Sequence, residues 1–233
     1  MQRASHFPTT HATELRTLAV DAAAGDAIAD ETARNLVMER YLGPLTRFVQ
    51  GSTLRRLGDP ADLVQGFFAE RLSDPAYLRR WAASGMRLRR WLMNGILFHG
   101  QGVLRDRGRA AARSSSVDPA ALPQEADAGA DAAVAYERAW ALAVVREATA
   151  RAEDALAAEG RTLELEIFRR HAVGGEPYAG IARDLGRSEP QCAGATRLVA
   201  TRVRAALAAL LAEEGVPDDE LEDEIARVRA LVG

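Results

Sequence analysis

Apolar residues recur every three or four positions along most of this chain, and this period limits the folds that are open to it. The clearest series starts at Cys192 and continues in steps of 3, 4, 4, 3 and 4 through Ala195, Val199, Val203, Ala206 and Leu210. Such spacing draws one apolar stripe along an α-helix, whereas a half-buried strand needs strict alternation. Extended β-branched runs with a period of two are missing from the sequence. The sequence therefore predicts an all-α fold.

Proline, glycine and short polar residues mark where the predicted helices begin and end. Asp59-Pro60 and Asp74-Pro75 each place an N-cap aspartate before a proline, which is a helix-start signal. Ser188–Gln191 has the composition of a capping box, in which the first and fourth residues bond each other's backbone N–H groups. Gly43-Pro44 predicts an interruption or a kink in the first helix.

The apolar pattern divides the chain into five segments. Between 114 and 133 the helical period vanishes and Ser, Pro and acidic residues dominate, which predicts a flexible acidic linker. The linker separates two small helical domains, at 25–113 and 134–212. An N-terminal segment, 1–24, precedes them, and an acidic extension with a last helix, 213–233, follows them.

Charge is segregated along the same lines, although the formal net charge is only −3. All 30 Lys and Arg residues are Arg. Residues 1–113 carry 17 Arg against 11 acidic residues, and 161–212 carry 8 against 5. Residues 114–160 carry 3 Arg against 9 acidic residues, and 213–233 carry 2 against 8. Two basic blocks separated by acidic ones are compatible with nucleic-acid binding, which the net charge alone would argue against.

The composition argues against several other kinds of protein. Cys192 is the single cysteine, so an intramolecular disulfide and a cysteine-rich zinc cluster are excluded. The four histidines lack metal-ligand spacing, and no nucleophile motif or phosphate-cradling glycine loop occurs, so we expect neither a cofactor nor an enzyme. No run reaches the roughly 18 apolar residues of a membrane span, and no signal-peptide pattern begins the chain. We expect a cytoplasmic protein without membrane insertion.

Residues 178–197 have the pattern of a DNA-binding helix-turn-helix. Ala182 is the small residue where two helices touch, and Gly186 follows where the chain must turn left-handed. We expect Ile181, Leu185, Cys192 and Ala195 to fill the interior of the pair. The alternative is an ordinary helical hairpin whose arginines only face solvent. The predicted DNA contacts are the exposed positions Ser188, Glu189, Gln191, Ala193, Arg197, Thr201, Arg202 and Arg204.

A second basic cluster lies in the first domain, where arginines surround Trp91. This mixture suits a single strand, because bases stack on aromatic rings while cations follow the phosphates. A base extruded from a duplex needs a pocket of the same composition. The alternative is that Trp91 is a core residue at helical spacing with Leu88 and Leu92. The predicted contacts are Arg87, Arg89, Arg90, Trp91, Asn94, His99 and Arg105.

Four segments, in this order, resemble the bacterial RNA polymerase sigma factors of the extracytoplasmic-function class. Arg40–Leu45 looks like the opening helix of that family, and Asp59–Phe68 is similar to its D-x-x-D-L-x-Q-x-x-F element. Arg87–Leu92 resembles the start of the helix that recognises and melts the −10 element. Tyr178–Glu189 resembles the Y-x-E-I-A-x-x-L-G-x-S-E pattern of the motif that reads the −35 element. The chain departs from the family pattern at Gly180, Pro190, Ala193 and Gly66, and in a thinned run of arginines after Ala193.

The resemblance implies a fold, a function and a set of partners. It implies a region-2-like helical bundle at 25–113 and a region-4-like helix-turn-helix domain at 134–212. Such a protein binds core RNA polymerase and promoter DNA and directs promoter recognition, melting and initiation; an anti-sigma factor or another regulator is a further candidate partner. The family docks its D-x-x-D-L element on the polymerase clamp helices, so the expected core-binding residues are Asp59, Asp62, Leu63, Gln65, Phe67 and Phe68.

A second interpretation stays open beside this one. A helix-turn-helix transcription regulator, or a degenerate sigma-like protein, would bind DNA or a partner without supporting initiation. The low arginine content after Ala193 favours it. Co-elution with core polymerase distinguishes the two interpretations.

Overall fold

The computed structural model describes residues 27–114 and 130–233, and these residues are helical with no β-strand among them. This confirms the predicted all-α fold. In chain order the helices are α1 (Ala27–Gly51), α2 (Pro60–Arg71), α3 (Pro75–Ser84), α4 (Leu88–Ser114), α5 (Ala130–Ala158), α6 (Thr162–Phe168), α7 (Tyr178–Leu185), α8 (Glu189–Glu213) and α9 (Leu221–Val232). Short 3-10 helices cover Thr53–Leu57 and Asp218–Glu220, and a π-helix, Arg169–Val173, continues α6.

The chain divides into two compact units. The first extends to Glu137 and also contains Ala212–Val216; the second contains Arg138–Leu211 and Pro217–Gly233. The first unit therefore takes in a part of the predicted C-terminal extension. Of the predicted linker, residues 115–129 lie outside the described residues, as does the predicted N-terminal segment, while 130–133 begin α5.

The core of the first unit is built from the apolar stripes of its helices. Helix α2 contributes Val64, Phe67 and Phe68, and the indole of Trp81 in α3 donates to the carbonyl of Met86 at 2.9 Å. Full burial of one such side chain stabilises the fold by about 1.5–3 kcal/mol. Other fully buried side chains are Tyr41, Leu45 and Phe48 of α1, Leu88, Leu92 and Ile96 of α4, and Tyr136 of α5.

The predicted helix starts at Asp59 and Asp74 are confirmed. The Asp59 carboxylate accepts the N–H groups of Ala61 and Asp62 at 2.8 and 3.2 Å. Asp74 accepts the N–H of Ala76 at 2.9 Å. Each cap satisfies N–H groups that the first turn of a helix leaves without an intrahelical partner.

The predicted interruption at Gly43-Pro44 does not occur, because α1 continues through Pro44 to Gly51, while the alternative, a kink, stays a prediction. A proline inside a helix costs about 3 kcal/mol, since it removes one hydrogen bond and crowds the preceding turn. Tyr41, Leu45 and Phe48 lie on either side of Pro44 and are fully buried. Their combined burial outweighs the cost of the proline.

The second unit packs its helices around two apolar clusters. One contains Leu156, Leu165 and Val199, and the other surrounds the contact between α7 and α8. The predicted last helix is confirmed as α9, which buries Ile225 and Val228 of its apolar face. Within the described part of the chain, no helix is both long enough and apolar enough to cross a membrane.

Candidate nucleic-acid and protein interfaces

Helices α7 and α8 meet as the sequence predicts for a helix-turn-helix. Ile181 and Cys192 are fully buried, and Ala182 and Ala195 lie beside them with Leu185 at the edge. Gly186 ends α7 in the left-handed conformation, with φ 61° and ψ 38°. A side chain is strained there, so glycine suits the turn. Cys192 is thus a small buried apolar residue of the helix contact.

The start of α8 is fixed by the predicted capping box. The N–H of Ser188 donates to Oε1 of Gln191 at 2.8 Å, and the N–H of Gln191 donates to Oγ of Ser188 at 3.3 Å. Both side chains are exposed, but each is already engaged in holding the helix end. Glu189 lies exposed between them.

A network of charged side chains joins α7 to the segment that precedes it in the chain. Arg170 donates through Nε to Oε2 of Glu176 at 2.7 Å and through Nη2 to Oδ2 of Asp184 at 2.7 Å. These hydrogen bonds raise the pKa of Arg170, and the bond from Arg170 lowers the pKa of Glu176. His171 stacks on Tyr178 with ring centroids 3.8 Å apart. The first helix of the pair is therefore held to the π-helical turn that precedes it.

The three arginines predicted to contact DNA differ in what surrounds them. Arg197 is exposed and makes no ion pair within the described residues. Arg202 donates to both carboxylate oxygens of Glu159, at 3.0 and 3.1 Å, and Arg204 pairs with Glu222. Two of the three predicted phosphate ligands are thus paired with acidic side chains of their own unit.

The remaining predicted positions on α8 offer little charge. Ala193 is half-buried, and the exposed Thr201 donates its hydroxyl to the carbonyl of Arg197 at 2.8 Å. Two exposed arginines that the prediction did not include, Arg183 and Arg187, flank the turn at Gly186. They stand inside the segment that carried the motif, so attention to every basic residue next to the turn could have found them.

In the first unit, α3 and α4 border a cavity of about 470 Å³. Its walls combine three aromatic side chains with three arginines. Trp91 and Tyr77 lie with ring centroids 5.5 Å apart, and Phe98 is 63% exposed. The lining residues are Arg71, Tyr77, Arg80, Met86, Trp91, Asn94, Gly95, Phe98 and Arg105. The cavity therefore unites Trp91, Asn94 and Arg105 of the predicted set.

The cavity also offers hydrogen-bond donors. The indole Nε1 of Trp91 is buried, and the Trp91 side chain interacts with the hydroxyl of Tyr77. The amide nitrogen of Asn94 has only a weak acceptor, the sulfur of Met86 at 3.9 Å. Burial raises the pKa of Tyr77, so its phenol stays protonated. A planar polar ligand could thus be both stacked and hydrogen-bonded here.

Gly95 allows this arrangement. A Cβ at this position would lie 2.3 Å from the hydroxyl oxygen of Tyr77 and 3.0 Å from the ring of Phe67. The aromatic side chains can thus lie directly on the backbone of α4. Glycine lowers the stability of a helix interior, so helix propensity alone would disfavour it here. The close approach is a tertiary effect that local propensity does not contain.

Other predicted −10 residues point elsewhere. Arg89 is buried, with Nε 3.3 Å from a carboxylate oxygen of Glu137, and Nδ1 of His99 lies 2.7 Å from a carboxylate oxygen of Glu70. Both side chains are therefore held by acidic residues of the unit and do not line the cavity. Arg87, which directly precedes α4, is half-buried, and Arg90, in the first turn of α4, is exposed.

Helices α1 and α2 border a second depression, of about 500 Å³. Met38 and Leu42 of α1 are 37% and 39% exposed, which is high for large apolar side chains. Gln65 and Phe68 of the predicted docking set also line this groove, which we call the α1–α2 groove. The sequence prediction missed Met38 and Leu42, because their exposure depends on what the other helices cover. The other lining residues are Glu31, Arg34, Asn35, Ala69, Leu72 and Ser73.

The rest of the predicted docking set has mixed surroundings. Asp59 caps α2, Asp62 is exposed, and Leu63 is half-buried. Phe67 is fully buried, with its ring 6.2 Å from that of Tyr77 and 6.0 Å from that of His99. Phe67 is therefore a core residue of the first unit rather than a surface for a partner.

No group of three or more His, Cys, Asp or Glu side chains in the described parts of the chain could hold a metal ion. No known family model matches the sequence, and neither a curated protein nor a solved structure matches it. The function is therefore inferred from the residues of the chain itself.

Proposed function

We propose that this chain is a sigma-like transcription-initiation subunit, which binds core RNA polymerase and promoter DNA through separate surfaces. The observation that carries the proposal is the α7–α8 pair, in which Gly186 turns left-handed and Ala182 packs beside Cys192. This is the geometry that a DNA-binding helix-turn-helix requires. Arg183, Arg187 and Arg197 offer exposed charge on or next to these helices. Arginines of this kind can position a helix on the phosphates of a duplex.

The cavity between α3 and α4 supports the second part of the proposal. Trp91 and Phe98 offer stacking surfaces, and the exposed Arg105 can follow the phosphates of an unwound strand. Stacking of one base on an aromatic side chain contributes about 1–3 kcal/mol. An unpaired base would find the amide nitrogen of Asn94 as a donor. This surface suits a melted strand, whereas α8 suits a duplex.

The α1–α2 groove supports the third part, attachment to core polymerase. Met38, Leu42 and Phe68 give it an apolar floor, and Asp62 lies exposed one turn before Gln65. Attachment to polymerase would raise the effective concentration of both DNA-binding surfaces at the promoter. Two weak DNA contacts then suffice for a specific complex.

Core binding is tested by reversing the charge of Asp62. We expect D62R to abolish co-elution with core RNA polymerase on size exclusion, because a cation would replace an anion beside the apolar groove. The matched control is D106R, which makes the same change at an exposed position of α4. Unchanged co-elution of D62R would contradict this use of the groove.

The cavity is tested with a fluorescent single-stranded oligonucleotide. We expect W91A to bind it about tenfold or more weakly, since one stacking surface is lost. W91F, which keeps a ring in the same place, should retain most of the affinity. Equal affinities of W91A and the unmodified chain would exclude Trp91 from the interface. Transcription from the upstream region of the chain's own gene, with core polymerase in vitro, then tests initiation itself.

A second candidate function is DNA binding without initiation. It is favoured by the ion pairs of Arg202 with Glu159 and of Arg204 with Glu222, which neutralise arginines of the recognition helix. A regulator of this kind would bind duplex DNA but would neither co-elute with core polymerase nor support transcription in vitro.

A further inference from the structure

A buried cluster of charges lies in the first unit, outside the surfaces described above. The side chain of Arg40, in α1, is 3% exposed. It lies between Glu213, which is the last residue of α8, and Glu214, which follows it. Its guanidinium is 3.6 Å from the carboxylate of Glu213 and 3.2 Å from that of Glu214. We call Ala212–Val216, the piece of the C-terminal region that belongs to the first unit, the C-terminal latch.

The latch also contacts the start of α4. The N–H of Leu88, the first residue of that helix, donates to the backbone carbonyl of Glu214 at 3.2 Å. This N–H is one of those that a helix start cannot satisfy internally. In the same turn, the hydroxyl of Tyr136 donates to the carbonyl of Arg89 at 2.8 Å. The first turn of α4 is thus held by the latch and by α5.

That turn leads directly to the cavity. The carbonyl of Arg87 accepts the N–H groups of Arg90 and Trp91, both at 3.1 Å, so Trp91 is joined to the turn that the latch holds. Trp91 is one of the aromatic residues that line the cavity. A shift of the first turn would therefore move a wall of the cavity.

We propose that the C-terminal latch positions the first turn of α4, so that the single-strand site of the first unit depends on Glu213 and Glu214. The proposal rests on the proposed function, because the cavity is taken as the site of an unpaired base. Glu213 and Glu214 are positioning residues, which act through Leu88 and Trp91. Two buried carboxylates beside one guanidinium carry a large desolvation cost, and groups of this kind specify one arrangement of segments rather than add stability.

The test reverses the charge of the latch in the full chain. In E213K/E214K two buried cations would face Arg40 and Arg89, so the latch cannot stay seated. The matched control is D218K/D219K, which makes the same change in net charge at two exposed residues of the same region. Both variants change the formal net charge by the same amount, so a difference between them is not an effect of net charge alone.

Two readouts are measured on both variants. Amide hydrogen exchange of Leu88–Trp91 should be about tenfold faster or more in E213K/E214K, because the first turn loses its partner, and unchanged in D218K/D219K. The affinity for a single-stranded oligonucleotide should be about fivefold lower or more in E213K/E214K than in its control. Duplex binding should persist in E213K/E214K, whereas a general loss of structure would abolish it.

The outcomes separate the latch from the proposed function. Equal exchange of Leu88–Trp91 in the two variants, or equal affinity for the single strand, would overturn the latch. If the unmodified chain itself bound no single strand, the proposed function would fail, and the exchange readout alone would decide whether the latch holds the turn. If E213K/E214K did not fold, E213Q/E214Q, which keeps the side-chain volumes, should change both readouts in the same direction and to a smaller extent.

Discussion

Arg40 in the first unit and two arginines in the second are held in opposite ways. In the first unit, Arg40 is buried between Glu213 and Glu214, out of reach of solvent ions. In the second unit, Arg202 and Arg204 pair with glutamates at the surface, with nearly half of each arginine side chain exposed. A buried pair fixes which segments assemble, because neither partner tolerates the loss of the other. An exposed pair contributes little stability and can exchange its glutamate for a phosphate. The first arrangement is suited to architecture and the second to binding.

The largest effect is expected from breaking the buried cluster. R40M leaves two buried carboxylates without their cation, and we expect the free energy of unfolding to fall by about 3–5 kcal/mol. Chemical denaturation followed by circular dichroism measures it. R47M, at an exposed position of the same helix, should change the free energy by about 0.5 kcal/mol or less.

The neutral triple variant R40M/E213Q/E214Q sharpens this prediction. It removes the two buried carboxylate charges along with the arginine, so it should recover a large part of the stability that R40M loses. A triple variant no more stable than R40M would mean that Arg40 acts through its packing instead of its charge.

The next effect is a difference in pH dependence between the units. Burial raises the pKa of Glu214 above 4.5, with Arg40 and Arg89 opposing the shift, while the hydrogen bond from Arg170 lowers the pKa of Glu176 below 4.5. A raised carboxyl pKa means that the folded state binds protons more readily than the unfolded state. The contribution of Glu214 to stability therefore grows as the pH falls from its raised pKa to about 4.5, whereas that of Glu176 is lost as the pH falls below 4.5.

Two variants separate these slopes. E214Q should remove the gain in stability on mild acidification, and E176Q should remove the loss at lower pH; unfolding midpoints measured from pH 7 to 3 report both. The groups that face Glu214 are Arg40 and Tyr41 of α1, Arg89 of α4 and Tyr136 of α5. Parallel pH profiles of E214Q and the unmodified chain would contradict the shift assigned to Glu214.

Whether a feature depends on neighbouring residues or on distant ones explains which parts of the fold the sequence could predict. The caps at Asp59 and Asp74 and the capping box at Ser188 depend on neighbouring residues alone, and all three are confirmed. At Pro44 the local rule allowed an interruption or a kink, and the helix is not interrupted, because the burial of its neighbours carries it through. The assignment of Ala212–Val216 to the first unit depends on a pairing across more than 170 positions, which no local pattern contains.

The candidate sites also contain features that residue spacing predicts and features that it does not. The interior of the helix-turn-helix followed from spacing, since Ile181 and Cys192 occupy fixed positions in a known pattern. The cavity around Trp91 did not, because Tyr77 and Arg80 reach it from another helix. Spacing could not reveal that Phe67 is buried while Met38 is exposed. These outcomes depend on which apolar faces find partners.

A smaller effect is expected when the exposed ion pairs of α8 are opened. E159Q/E222Q releases Arg202 and Arg204, so we expect duplex DNA to bind about three- to tenfold more tightly and the logarithmic salt dependence to steepen by about 1 to 2. D154N/D223N removes the same charge at exposed positions and controls for net charge. Equal salt slopes in the two variants would mean that neither arginine reaches a phosphate.

The smallest effect is expected at an exposed ion pair outside α8 and outside the cavity lining. Arg169 makes two hydrogen bonds to Glu153, at 3.1 and 2.6 Å, which raise the pKa of Arg169. The geometry is good, yet both side chains keep access to water, so the attraction is screened and the cost of ordering two long side chains offsets it. We expect E153Q and the unmodified chain to have the same thermal unfolding midpoint, at low and at high salt. A clear loss in E153Q that disappears at high salt would show that surface pairs also stabilise the second unit, and the contrast with Arg40 would then be one of degree.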